Sequence, residues 1–356
     1  MLFYTALILL AIFCNIKYPK NKTGLLWILI LCYLSMFRAE TVGTDTSNYM
    51  EYTDNIEKFI LIFGQGFEIG RAIEFSYLLI IFFLYGFDLS PRFLIVIMSV
   101  ITFLFLYLTL KKSKLSYSIA VLIFLLLFYF PSLNIARQIC ACSIILYAYT
   151  FLFEKGKRKF FYFFYIILAT SFHASSILYL AGYLIHKIKT YKFNKKTLSI
   201  FAICLFFFNS LFPIPISEWA ISFFGSLSYS ELYADQTVSQ ARSLFGILYS
   251  FIQITPYIFI FNKCSKNKLD KFDFIYYCSI ISLIISSTAN SDFARIFLPL
   301  QFFQIIYICH LYKSKRLKIT GQPFLYFIMV NTLLTLYSLS TGAGELVPYI
   351  IDYNFN

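Results

Sequence analysis

The chain has 356 residues, 60% hydrophobic and 13% charged, with a formal net charge of +13 and a mean hydropathy of +0.74. A soluble domain carries about 25% charged residues, so this composition excludes one, and the positive charge reports membrane topology and anionic headgroups rather than nucleic acid. The apolar runs are continuous and do not alternate, which excludes a β-barrel and leaves an all-α polytopic membrane protein, one integral membrane domain over 1–356.

The hydropathy pattern predicts helices over 1–16, 24–37, 74–87, 93–110, 118–131, 135–153, 160–172, 174–186, 198–212, 244–261, 274–288, 294–312 and 323–341. Several are shorter than the ~20 residues that span hydrocarbon, which is tolerated where other helices shield them or where they line a cavity. The first segment has no basic n-region and no small-residue cleavage site, so it is expected to be a retained helix. The eight cysteines lie mostly in apolar segments, and Cys140 and Cys142 point to different sides of a helix, so neither disulfides nor a zinc site is expected.

The Lys-rich connections are Lys17–Lys22, Lys111–Lys114, Lys155–Lys159, Lys187–Lys196, Lys263–Lys271 and Lys313–Lys318. Placed together in the cytoplasm, they hold every Lys except Lys58, as the positive-inside rule requires. Six of the eight Arg fall on the other side: Arg38, Arg71, Arg92, Arg137, Arg242 and Arg295. Lys alone suffices for orientation, whereas Arg binds phosphate bidentately and keeps its charge when buried. The split therefore points either to an outer face that handles an anion or to Arg paired with local acids.

With loop 38–73 outside and Lys111–Lys114 inside, the two apolar stretches between them cannot both cross. The segment 74–87 is accordingly expected to be re-entrant or to lie on the outer surface, leaving about 12 transmembrane helices with both termini outside. The external loops 38–73 and 213–243 carry most of the acids together with Tyr and Trp. That composition suits sugars, because rings stack on sugar faces and carboxylates accept hydroxyl hydrogen bonds.

Four constellations carry the candidate chemistry. Val42-Gly43-Thr44-Asp45-Thr46 follows a helix that ends at Arg38; Gly43 permits a tight turn, and Asp45 is either a helix cap or a site carboxylate. Arg137 opens a helix after the break at Pro131, where free N–H groups and the dipole favour phosphate; the alternative is a buried ion pair, for instance with Glu74. His173 sits between two short apolar segments beside Ala174, Ser175 and Ser176, either as a proton-transfer group or as a joint between helices. Arg295 repeats the logic of Arg137 at 294–312: the two would clamp a pyrophosphate, or Arg295 pairs locally with Asp292. No nucleotide-binding glycine loop, HExxH or GxSxG motif is present. An outward-facing enzyme has no cytosolic nucleotide sugar, so a lipid-linked pyrophosphate is the expected activated donor.

Taken together these residues resemble the EpsG family of Wzy-type polysaccharide polymerases. The resemblance is carried by Arg38, Gly43-Thr44-Asp45-Thr46 and Tyr49, by Glu74 before an aromatic-rich helix, by Arg137-Gln138, by Phe172-His173-Ala174-Ser175, by Arg295, and by Val347-Pro348-Tyr349. One departure is Phe75-Ser76, where the family often has Gly after the acid. The resemblance implies a GT-C-like membrane fold and a bacterial inner-membrane glycosyltransferase acting at the periplasmic face. Such enzymes move a growing glycan from undecaprenyl pyrophosphate onto the next lipid-linked repeat unit, with a Wzx-type flippase and a Wzz-type chain-length regulator as partners. The catalytic candidates are then His173, Arg137, Arg295, Asp45 and Glu74, and the substrate-binding candidates Arg38, Thr44, Tyr49, Gln138 and Arg242. No metal and no cofactor is expected. An O-antigen ligase using the same donor, a lipid-linked oligosaccharide flippase, and a scaffold in which Arg137 and His173 are replaceable are the rival readings.

Overall fold

A computed structural model describes residues 1–54, 75–153, 159–188, 193–211, 244–287 and 291–352. The described residues are helical, with no strand among them. Four helices are long and apolar enough to cross a membrane: Arg92–Ser113, Tyr117–Asn134, Leu244–Cys264 and Gln322–Ser340. Leu2–Lys17, Asn21–Met36, Phe75–Gly86, Ala136–Leu152 and Lys159–Thr170 are apolar but shorter. The chain forms two compact units, Met1–Phe67 with Arg71–Ala181 and Asn331–Asn356, and Glu68–Gly70 with Gly182–Val330.

The first unit contains α1 (Leu2–Lys17), α2 (Asn21–Met36), α3 (Thr44–Asp54), α4 (Phe75–Gly86), α5 (Arg92–Ser113), α6 (Tyr117–Asn134), α7 (Ala136–Leu152) and α8 (Lys159–Thr170), followed by a 3-10 helix at Ala174–Ala181. Its centre is α7. Ile139, Cys140, Ala141, Cys142, Ile144 and Ile145 are all buried, as expected of a helix that is apolar all round. Its small residues let α5 and α8 pack closely on either side.

One end of this unit gathers Lys-rich connections. The Ser118 hydroxyl donates to the Lys20 carbonyl at 2.8 Å, and the Tyr117 N–H donates to the Asn21 side chain at 3.3 Å. Lys112 lies 3.1 Å over the Phe151 ring near the end of α7. The helices meet tightly there, since a Cβ added at Gly24 would lie 2.2 Å from the Ser118 nitrogen. The other end gathers Arg38, Arg92 and Arg137. Both flanks of α4 lie at that arginine end: Ser76 is hydrogen-bonded to Ser171, Tyr77 stacks on Arg137, and Arg92, six residues after α4, binds the Arg38 carbonyl. With about 1.5 Å of rise per residue, the 12 residues of α4 cover roughly 18 Å, well short of a ~30 Å hydrocarbon core.

Two helix boundaries differ from expectation. The sequence predicts a stop at Pro131, yet α6 continues to Asn134 through a π-helical turn at Leu125–Tyr129, and the backbone breaks only at Ile135 (φ −89°, ψ 51°). Proline lacks the N–H of a regular turn, and a wider π turn just before it re-spaces the ladder so that the helix survives. The predicted helix 294–312 is likewise divided, at Phe297, into Ser291–Ile296 and Leu298–Lys313. Pro299 sits in the first turn of the second piece, where proline favours a helix start.

The second unit holds α9 (Gly182–Lys187), α10 (Lys195–Leu211), α11 (Leu244–Cys264), α12 (Lys271–Ser286), α13 (Ser291–Ile296), α14 (Leu298–Lys313) and the start of α15 (Gln322–Ser340), whose residues from Asn331 onward belong to the first unit. Three Lys-rich connections meet at one of its ends. The Lys195 ammonium donates to the Asn262 and Ser265 carbonyls at 2.9 and 3.1 Å. Arg316 bonds Asp273 at 3.1 Å and reaches Asp270 at 3.6 Å. Asp273 is fully buried, accepts from the Tyr307 hydroxyl at 2.9 Å, and forms a capping box with Asp270 at the start of α12. A buried carboxylate is tolerated because donors surround it.

Candidate active site

At the arginine end of the first unit the chain leaves α2, turns at Gly43 and enters α3. Gly43 has φ +95°, and a Cβ there would stand 2.4 Å from the Leu133 carbonyl. Only glycine accepts both the left-handed backbone and that approach. The tight turn expected at Gly43 is present. Helix α3 begins at Thr44, so Asp45 and Thr46 lie inside its first turn. Its free N-terminus is satisfied from another segment: the Asn134 side-chain oxygen accepts from the Thr44 hydroxyl at 2.6 Å and from the Asp45 N–H at 3.0 Å. Asp45 is half-buried in the first turn, at the positive end of the helix. Thr46 turns inward and donates to the Val42 carbonyl at 2.8 Å.

Arg38 is fully buried. Its Nη1 donates to the Ser35 carbonyl at 2.7 Å and its Nε to the Thr46 hydroxyl at 3.3 Å, while Nη2 finds no hydrogen-bond partner among the described residues. Burial outweighs the phenols of Tyr129, Tyr49, Tyr349 and Tyr4, which raise its pKa, and leaves it lowered to about 10, so the cation persists at neutral pH. Tyr49, one turn along α3 from Asp45, is buried and its phenol is pushed up by that burial; the charge of Arg137 and a hydrogen bond with the Arg137 main chain pull it down again.

Arg137 is the second residue of α7 and is half-buried, with its guanidinium 4.9 Å from the centre of the Tyr77 ring. Tyr77 in turn makes an edge contact with Tyr49 at 6.2 Å. The Arg137 charge therefore stands at the N-terminus of a 17-residue helix, between two tyrosines and beside α3. Gln138 is buried one residue further on. His173 follows the end of α8. Its N–H donates to the Ala169 carbonyl at 3.0 Å, and its own carbonyl accepts from the N–H of Ser176, in the first turn of the 3-10 helix that begins at Ala174. Its segment is tied to the site through Ser171, hydrogen-bonded to Ser76 through both main chain (3.0 Å) and side chain (2.6 Å), one residue before Tyr77.

The structure thus brings Asp45, Tyr49, Arg137 and the His173 segment to one end of the first unit, with Thr44 and Arg38 in the surrounding wall. Arg295 belongs to the second unit, in the last turn of α13 rather than at the start of a long helix. Glu74 and Arg242 lie outside the described residues, as does the loop 213–243. Among the described residues no group of His, Cys, Asp or Glu converges as a metal site. Asn134 and Tyr77 are site residues that sequence reasoning missed. Asn134 follows Pro131 at a helix end, which marks a boundary, but nothing in its spacing says that its amide caps a helix 90 residues earlier.

The described residues thus form an all-helical protein with helices apolar and long enough to cross a membrane, and with a half-buried Arg at the N-terminus of α7 on the ring of Tyr77. The chain is a member of the EpsG family, whose profile matches residues 21–351. It is a membrane protein of the polysaccharide-polymerase type. No curated protein and no solved structure matches it.

Proposed function

We propose that the protein is a glycosyltransferase that polymerises lipid-linked repeat units of an O-antigen, capsule or exopolysaccharide. Its donor is an undecaprenyl-pyrophosphate-linked glycan, and the acceptor is a hydroxyl on the next lipid-linked unit. The supporting observation is the placement of Arg137 at the N-terminus of α7, beside Asp45 and Tyr49 and on the ring of Tyr77. A pyrophosphate leaving group needs stabilisation as negative charge develops on its bridging oxygen, and a preorganised guanidinium with helix N–H groups supplies it. In the reaction the acceptor oxygen forms a bond to the donor's anomeric carbon and the carbon–oxygen bond to pyrophosphate breaks. Undecaprenyl pyrophosphate leaves with the bonding pair, and His173 takes the acceptor proton. Asp45 accepts hydrogen bonds from sugar hydroxyls. Arg38, being fully buried, serves by holding Thr46 and the entry to α3 rather than by touching substrate.

The arginine end faces the periplasm and the Lys-rich ends the cytoplasm of a bacterial inner membrane, in a GT-C-like arrangement of about twelve crossings. A Wzx-type flippase supplies the substrate and a Wzz-type regulator sets chain length. The test is reconstitution in liposomes with a synthetic lipid-linked repeat unit. Wild-type protein should give a ladder of multi-repeat products, and Arg137→Lys should lower the rate by on the order of 10²–10³, the effect of losing one stabilising donor. A full ladder from Arg137→Lys would assign that residue to structure. Transfer to a lipid A core without a ladder would indicate a ligase, and movement of lipid-linked units without bond formation a flippase.

A further inference from the structure

The segment 342–352 makes a run of contacts that the reaction scheme leaves unused. The Glu345 carbonyl accepts from the Gly43 N–H at 3.3 Å, and the Ile350 carbonyl accepts from the Ala39 N–H at 2.8 Å. The Asp352 N–H donates to the Phe37 carbonyl at 3.0 Å, so that Arg38 and Ile351 form an antiparallel bridge. At the two sides, the Tyr4 hydroxyl donates to the Leu346 carbonyl at 2.9 Å and Tyr349 donates to the Leu34 carbonyl. The far end is fastened by an ion pair between Arg92 and the Asp352 carboxylate, and the same guanidinium donates to the Asp352 carbonyl at 2.7 Å and to the Arg38 carbonyl at 3.2 Å.

These contacts converge on residues 37–43, the stretch that delivers the chain into α3. Its N–H groups at Ala39 and Gly43 are buried and lie outside any helix. A buried main-chain donor must be paired, and here the partners are carbonyls of the C-terminal segment. The direction in which α3 leaves Gly43 sets the place of Asp45 and Tyr49 against Arg137. We infer that residues 342–352 are a strap that positions the active site, and that Arg92 and Asp352, its clasp, are positioning residues of the transferase reaction. The inference rests on the polymerase reading above. Arg92 holds two carbonyls and a carboxylate at once, a task suited to the planar fork of a guanidinium and not to an ammonium.

The experiment uses the full chain with its eight cysteines replaced, reconstituted with the lipid-linked repeat unit and first shown to be active. Asp352→Asn and Arg92→Lys should each lower kcat roughly 10- to 100-fold, the scale set by small misplacement of reacting groups, with membrane level and KM unchanged. Ala39→Cys with Ile350→Cys, added to the Asp352→Asn chain, provides a second fastening. Oxidation should cross-link 39 to 350 and restore turnover, and reduction should remove it again. A simple loss of stability would not be reversed in this way on folded, reconstituted protein. Failure of the cysteines to cross-link would overturn the strap, and a complete cross-link without recovery would overturn its positioning role. If the wild-type chain makes no polymer, the polymerase reading falls and the positioning role with it, while the cross-link still reports where the strap lies.

Discussion

At the lysine end of the first unit the cations stand outside the fold. Lys17 lies over the rings of Phe13 and Tyr18 at 5.0 and 5.5 Å, and Lys111 over Tyr107 at 5.6 Å, and both residues are exposed. At the arginine end Arg38 is fully buried, Arg92 is 8% exposed, and both guanidiniums donate to main-chain carbonyls. An ammonium is a strongly hydrated point charge that resists burial, whereas a guanidinium is more weakly hydrated and presents several donors in a fixed fork. In the first unit, then, Lys17 and Lys111 stay exposed while Arg38 and Arg92 brace the main chain. Of the three arginines at that end, Arg38 and Arg92 are buried, and Arg137 is half-buried over the ring of Tyr77.

The largest test of that division concerns the reaction itself. If the arginine end is the catalytic end and His173 the base, His173→Ala should lower the polymerisation rate by on the order of 10²–10⁴, the usual contribution of proton transfer. Donor binding to the purified protein should stay intact. His173→Gln keeps hydrogen bonding without taking up a proton, so near-wild-type polymer from that variant would leave His173 a positioning group. The next effect is on stability. Arg38→Lys removes at least one hydrogen bond from a buried charged group, which costs about 1.5–3 kcal/mol, and should show as a lower unfolding midpoint in detergent. Lys17→Arg, on the exposed end, should stay within ~0.5 kcal/mol. Equal shifts in the two variants would break the comparison. The last test changes neither rate nor stability. In a chain stripped of native cysteines, Ser47→Cys should react with a membrane-impermeant thiol reagent on intact spheroplasts, while Lys111→Cys and Asn267→Cys should be protected, all three positions being exposed. The reverse pattern would invert the orientation. Ser265 is unsuitable as a reporter because it is buried against Tyr307.

The class of fold was legible in the sequence because membrane helices answer to local rules: continuous apolar runs, Lys clusters at their ends, and a Pro or small residue where they break. Most predicted segments have an observed helix, from Leu2–Lys17 through Gln322–Ser340, but Thr44–Asp54 has no predicted counterpart, 174–186 is a 3-10 helix followed by a short α-helix, and 294–312 is divided. The turn at Gly43 and the place of Arg137 at a helix start were readable too, since each depends on a few neighbouring residues. What only the tertiary structure decided are contacts between distant stretches. Asn134 caps a helix that begins at Thr44, Tyr77 lies on Arg137, and Asp352 closes on Arg92 across 260 positions. The sequence places Arg38 and Arg137 alike outside the Lys clusters, with Arg38 a substrate-binding and Arg137 a catalytic candidate; the structure adds that Arg38 is fully enclosed and Arg137 half-buried. Burial and long-range capping depend on which surfaces meet, and no periodicity along the chain records that.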